Sequence, residues 1–278
     1  MIKNLEQQQM QSKKKIAIIF RGESYRNASK ENGQNSREIG TKNTINGQKL
    51  ANMNHCNFLQ YIKKKHHIDI DVFIDTQTTK YDLSLITDYK KRKIPIKNFA
   101  FHNEYCKTQM LSIQRSINHV ICNDLYENYE SVLILRNDLI LKDCFFDLYN
   151  PFEEKIKFSF IIWAYNKNMK KKDMGYRGRT LGGYPRVGDI MYYIPKRYFL
   201  LLNHFKSIDV PGGWGHEAIY FWNEIIPNFE YDFYIKTFHE SNPAVDLNPL
   251  YHMVNRKIAS EYITRQDKIY PDNWDEYF

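Results

Sequence analysis

At 278 residues, with 42% hydrophobic and 15% aromatic side chains, the chain is long enough and apolar enough to bury an ample core in one large domain, which excludes a disordered polypeptide. A net charge of +8 favours anionic partners, whether a nucleotide, a phosphorylated substrate, nucleic acid or a membrane surface, without choosing among them. Cys56, Cys106, Cys122 and Cys144 form no C-x-x-C pair, so neither a zinc site nor a disulfide framework is expected, and the thiols read as free in a reducing compartment. No apolar leader opens the sequence and no run approaches the roughly 18 residues that span a bilayer, so a soluble, cytoplasmic protein is expected, with peripheral contact between a basic face and a membrane left open.

In chain order, residues 1–14 are polar and Gln-rich and read as a flexible tail, with one folded domain over 15–278. Residues 16–20 (IAIIF) have the pattern of a buried strand, opening at once into Arg21-Gly22-Glu23-Ser24-Tyr25-Arg26. A loop with Gly22, Arg21 and Arg26 suits phosphates or a nucleotide base, although its glycines are too few for a Walker loop or a G-x-G-x-x-G fingerprint. Residues 27–48 carry almost no apolar side chains and predict a long mobile loop. Leu50, Met53, Phe58 and Tyr61 predict a helix, and residues 68–76 a second strand, with Asp75 at its end. Between them, KKKHH at 63–67 reads as a solvated helix terminus or as a phosphate or metal patch. Residues 80–105 are uninformative around the basic run at 90–93.

From 108 to 129 the apolar set Met110, Ile113, Ile117, Val120, Ile121 and Leu125 recurs at three- and four-residue steps, the strongest helical pattern in the chain. It leads into VLILRNDLIL at 132–141, an apolar run broken by a cation, an amide and a carboxylate. Burying Arg136 and Asp138 unpartnered inside a strand costs several kcal/mol, so the strand is expected to end where they begin. That places both at a carboxyl edge, where open α/β sheets bind ligands. A structural Arg136–Asp138 ion pair is the plain alternative.

Residues 157–164 predict another buried strand, 168–185 a basic glycine-containing segment able to close over an anion, and 187–194 a strand with Asp189 near its start. A short helix is expected at 198–205. The glycine-rich turn at 211–215 precedes His216 and Glu217 in the first turn of a helix over 218–226, where Glu217 also complements the helix dipole. A late strand at 231–236 is followed by His239.

Taken together, IAIIFRGESYR, the strand ending in Asp75, the long helix, LILRNDLIL and the late NPLYHMVNR segment resemble nucleotide-sugar glycosyltransferases of the GT-A fold tied to surface-glycan synthesis, over roughly residues 14–256. The resemblance implies an α/β architecture: a single GT-A-like domain whose Rossmann-like, mostly parallel central sheet is flanked by helices. It implies transfer of a sugar from a nucleotide-sugar donor to a glycan or other hydroxyl acceptor. Arg21, Gly22, Arg26, Asp75, Arg136 and Asp138 would then bind the donor; Glu217 and Asp189 are the candidate catalytic bases, with Glu217 preferred and Asp189 alternatively holding donor or acceptor hydroxyls. In that family a D-x-D element holds a divalent metal, Mn²⁺ or Mg²⁺, on its last acid. Here the element is R-N-D: Asp138 stands in the place of the last acid, and Arg136, of the wrong sign for a metal site, in the place of the first. His239 would be a second metal ligand by position, though a lone His is more often structural. The rivals are a nucleotidyltransferase acting on sugar phosphates and a non-enzymatic nucleic-acid- or glycan-binding protein. No nucleic-acid partner is expected, because the basic residues fall in separate runs.

Overall fold

The computed structural model describes residues 14–22, 24, 26–29, 36–39, 42–103, 109–121, 128–162, 187–188, 190–203, 218–239 and 250–253. The buried runs become the strands of one sheet: β1 (Lys15–Gly22), β4 (Asp69–Gln77), β5 (Ile96–His102), β6 (Ser131–Arg136), β8 (Ile156–Ile162), β9 (Met191–Pro195) and β10 (Tyr231–His239). Their spatial order is β10-β8-β9-β6-β1-β4-β5. Every pairing is parallel except those of β9, which runs against both β6 and β8. The α/β class and mostly parallel sheet expected from the sequence are therefore present.

Alternation along the strands sorts the core into two layers, because successive side chains leave opposite faces of a sheet. Ile16, Ile18 and Phe20 of β1 pack with α1 (Lys42–His66), α2 (Asp82–Lys91) and α4 (Asp143–Leu148) through Phe58, Leu85, Tyr89 and Phe145. Ala17 and Ile19 pack on the other face with α3 (Gln109–Ile121), α5 (Leu200–Asn203) and α6 (Ala218–Ile225) through Ile113, Ile117, Leu201 and Trp222. A chain buried on both faces reads as continuous hydrophobics, which is why IAIIF and VLIL were legible as strands.

The connectivity places the rim that matters. From β1 the chain moves outward to β4 and then β5, with α1 and α2 on one face. Helix α3 then returns across the other face to β6, on the opposite side of β1. The strand order thus reverses between β1 and β6, and the crevice at their carboxyl ends is the topological switch point of the sheet.

One expectation is corrected and another is extended. The long loop expected at 27–48 contains an antiparallel hairpin, β2 (Arg26–Ser29) with β3 (Ser36–Ile39), and α1 already begins at Lys42. A hairpin needs only backbone pairing, so the absence of apolar side chains did not forbid it. The run 132–141 is two strands. After Arg136 the chain turns at Asn137-Asp138 and enters β7 (Leu139–Leu141), which pairs with β11 (Tyr251–Met253) in a separate two-stranded sheet. No helix among the described residues is long and apolar enough to cross a membrane.

Candidate functional site

Three charged residues meet in register at the switch point. Arg21, in the last turn of the β1 pleat, is paired with Asp75 on β4 and with Arg136 on β6. Register partners on parallel strands project from the same face, and two residues earlier the row is Ile19, Phe73 and Ile134, all in the layer beneath α3. The charged row therefore continues the α3-side core up to the rim. Arg21 is fully buried and Asp75 is 1% exposed.

Asp75 is compensated from two distant elements. His102, at the end of β5, brings Nε2 to 2.8 Å from Asp75 Oδ2, and Arg115 of α3 donates Nη2 to Oδ1 at 3.3 Å. Both partners are about a quarter exposed at the side chain, whereas the carboxylate they hold is not. Asp75 thus fixes His102 and Arg115, and these two carry the more outward-facing atoms of that end of the row.

On β6, Arg136 Nε donates to Asp138 Oδ1 at 2.9 Å and Nη2 to Oδ2 at 2.6 Å, a two-pronged charge-assisted pair. Arg136 closes the strand and Asp138 lies in the turn after it, which brings the carboxylate within reach of the fork. The turn between them is clamped from both sides. Asn137 N–H donates to the Arg21 carbonyl at 2.8 Å, and the Asn137 carbonyl accepts from Gln48 Nε2 of α1 at 3.0 Å. Yet the Asn137 side chain, 1% exposed, has neither Oδ1 nor Nδ2 hydrogen-bonded among the described residues. Each such buried group costs about 1–3 kcal/mol, an expense that proteins concentrate at functional sites.

Beneath the turn, α1 supplies a neutral histidine. His55 Nε2 lies 2.8 Å from the Leu139 carbonyl, which only accepts, so that nitrogen carries the proton and Nδ1 accepts from Tyr89 Oη at 2.9 Å. The ring stacks on Phe20 at 4.2 Å. Burial pushes its pKa down to about 4, against the opposing pull of the Leu139 carbonyl and the Asp138 charge. On the β1 side, Gly22 adopts φ +98°, and Ser24 N–H donates to Thr76 Oγ1 at 3.1 Å, closing the first turn after the strand.

Of the sequence-predicted residues, the structure brings together Arg21, Gly22, Asp75, Arg136 and Asp138. Arg26 opens β2 through its backbone, paired with Ile39, and His239 lies in β10 opposite Ile162; the side chains of both, and all of Asp189 and Glu217, lie outside the described residues. The residues that sequence reasoning missed are His102, Arg115 and Asn137. His102 closes a stretch with no readable period, and Arg115 is a polar position of a strongly amphipathic helix, so nothing local marked either.

The fit to a divalent metal is poor. Both oxygens of Asp138 are held by Arg136, and among the described residues no three His, Cys, Asp or Glu side chains converge.

No protein-family model and no curated protein sequence matches the chain. Among solved structures it is similar to the inositol-1-phosphate CTP transferase from T. maritima, at 9% identity, covering 93% of this chain and 98% of that one with a TM-score of 0.46. It is also similar to the 4-diphosphocytidyl-2C-methyl-D-erythritol synthase from Anaerococcus prevotii, at 12% identity, 82% and 90% coverage and a TM-score of 0.43. A third is a glycosyltransferase involved in the glycosylation of the major capsid of PBCV-1, at 10% identity, 81% coverage of each chain and a TM-score of 0.35. These are likenesses of fold.

Proposed function

We propose that the chain is a nucleotide-sugar-dependent glycosyltransferase whose donor diphosphate lies in the crevice between β1 and β6. The observation that carries this reading is the register row of Arg21, Asp75 and Arg136 at the switch point of the sheet, continued by the Asn137-Asp138 turn. From Arg136 on β6 to β5, where Ala100 is in register with Asp75 and His102 lies two residues beyond it, the rim spans three strand spacings, about 14 Å, the reach of a nucleoside diphosphate laid along it. With the diphosphate at the Arg21–Arg136 end, the nucleoside falls against His102 and Arg115.

The reaction is displacement at the anomeric carbon: the acceptor oxygen bonds to it as its bond to the diphosphate oxygen breaks, and the acceptor hydroxyl loses its proton. Negative charge grows on the departing diphosphate, and fixed guanidiniums stabilise it without reorganising. Arg21 and Arg136 supply that charge. Glu217 as the proton acceptor, Asp189 as a holder of sugar hydroxyls, and Arg26 as a further donor contact are proposed from their places in the sequence. A glycan of the cell surface is the proposed acceptor class, and the cytoplasm the proposed compartment.

A sugar-phosphate nucleotidyltransferase is the second reading, favoured by three guanidiniums, Arg21 and Arg136 in the strand row and Arg115 on α3 beside Asp75, which suit a triphosphate. The two part on products. Incubated with a panel of nucleotide sugars and glycan acceptors, a glycosyltransferase releases nucleoside diphosphate; incubated with nucleoside triphosphates and sugar phosphates, a nucleotidyltransferase releases pyrophosphate. Release of nucleoside diphosphate is expected. Pyrophosphate release alone would install the second reading, and neither product, with no binding of any nucleotide, would remove both.

A further inference from the structure

We infer that Arg136 is the resident cation of this crevice, that nucleoside diphosphate binding there needs no divalent metal, and that Asp138 is a positioning residue holding Arg136. The inference rests on the reading of the crevice as a diphosphate site. A D-x-D element would give Asp138 to a metal ion. In this chain the carboxylate already has a cation on it: Arg136 takes Oδ1 with Nε and Oδ2 with Nη2, at 2.9 and 2.6 Å.

The arrangement is built for the guanidinium. The turn at Asn137-Asp138 brings the carboxylate back against the last residue of β6, and a planar fork matches a carboxylate better than any other cationic side chain does. Asp138 is 4% exposed at the side chain and Arg136 14%, so the carboxylate is the less accessible of the two. A hard divalent ion seeks six or more oxygens. To take Asp138 it would have to break a charge-assisted bidentate pair and then sit beside the displaced guanidinium, a charge of its own sign. Arg21, in register on the adjacent strand, places a second guanidinium side chain on the same face. The positive charge that a metal supplies elsewhere is therefore already fixed at the switch point, and a diphosphate meets it without first recruiting an ion.

The test uses the full chain and calorimetric titration with UDP, GDP, ADP, CDP, dTDP and inorganic pyrophosphate, each in excess EDTA and again in Mn²⁺ or Mg²⁺. At least one nucleoside diphosphate is expected to bind with an affinity that differs by less than about threefold between the two conditions. Arg136→Asp writes a D-x-D element into the chain; it is expected to lose about tenfold or more of the metal-free affinity and to recover it in Mn²⁺. The double variant Arg136→Met with Asp138→Asn leaves no lone buried charge, and it is expected to bind weakly in both conditions while its unliganded melting transition stays cooperative. Wild-type binding that vanishes in EDTA would overturn the inference and leave the diphosphate site standing. Metal-free binding by Arg136→Asp equal to the wild type would also overturn it. No binding of any probe in either condition would remove the diphosphate site and the inference with it.

Discussion

The Asn137 backbone N–H donates to the Arg21 carbonyl at 2.8 Å, one step beyond the last register pair of β1 and β6, which is Arg21 with Arg136. The two strands are thereby held together right up to the rim at Arg21 and Arg136. Its geometry is that of a strand pair and not of a loop, which is the rigid footing that a charge-binding site requires.

In the proposed site Asp75, 1% exposed and bonded to His102 and Arg115, would position the nucleoside end of the row, so its removal should act through those two residues. Asp75→Asn leaves Arg115 without its counter-charge and His102 without its carboxylate partner, and is expected to cost about 2 kcal/mol in urea unfolding. His102→Ala, which spares the carboxylate, is expected to weaken nucleoside diphosphate binding about tenfold while pyrophosphate binding is unchanged. Equal loss for both ligands would place His102 at the diphosphate end instead.

Gly22 is held at φ +98°, where an added Cβ meets nothing within 4 Å. The cost of a side chain is therefore backbone strain without a clash. Gly22→Ala is expected to destabilise the fold by about 1–2 kcal/mol, read from the shift of a denaturant midpoint at constant slope. An unchanged midpoint would show that the strand end relaxes to a negative φ at no cost.

His55 makes stability depend on acidity with a defined sign. Its folded pKa of about 4 lies below the ordinary 6.5, so on acidification the unfolded chain takes up the proton first. The contribution of the neutral ring is complete above about pH 6.5 and is lost progressively as the pH falls to about 4, on the order of 3 kcal/mol in all. Urea unfolding at about pH 7 and about pH 5 should show a steeper acid loss in the wild type than in His55→Gln. Parallel pH profiles for the two proteins would mean that the buried ring is not the group that titrates.

Much of this was readable locally. The burial of IAIIF and VLIL follows from uninterrupted branched apolar residues, α3 from its three- and four-residue spacing, and the end of β6 at Arg136 from the cost of carrying an unpartnered charge further into a core. Even the Arg136–Asp138 pair was available as an alternative, because opposite charges two residues apart at a strand end lie within reach of one another. The hairpin after β1 was not, since Arg26–Ser29 and Ser36–Ile39 pair through backbone groups that every residue carries.

What the sequence by itself determined is thus the set of elements and the position of R-N-D at a strand end, both of which depend on side-chain polarity over a few neighbouring residues. The tertiary structure alone decided which strand ends are neighbours. Arg21 meets Asp75 and Arg136 because the strand order reverses at β1, and Asp75 is completed by His102 and Arg115 from 27 and 40 residues away. No local pattern encodes such a meeting, because it is fixed by the faces on which α1, α2 and α3 bury their apolar sides, and that is a property of the assembled sheet.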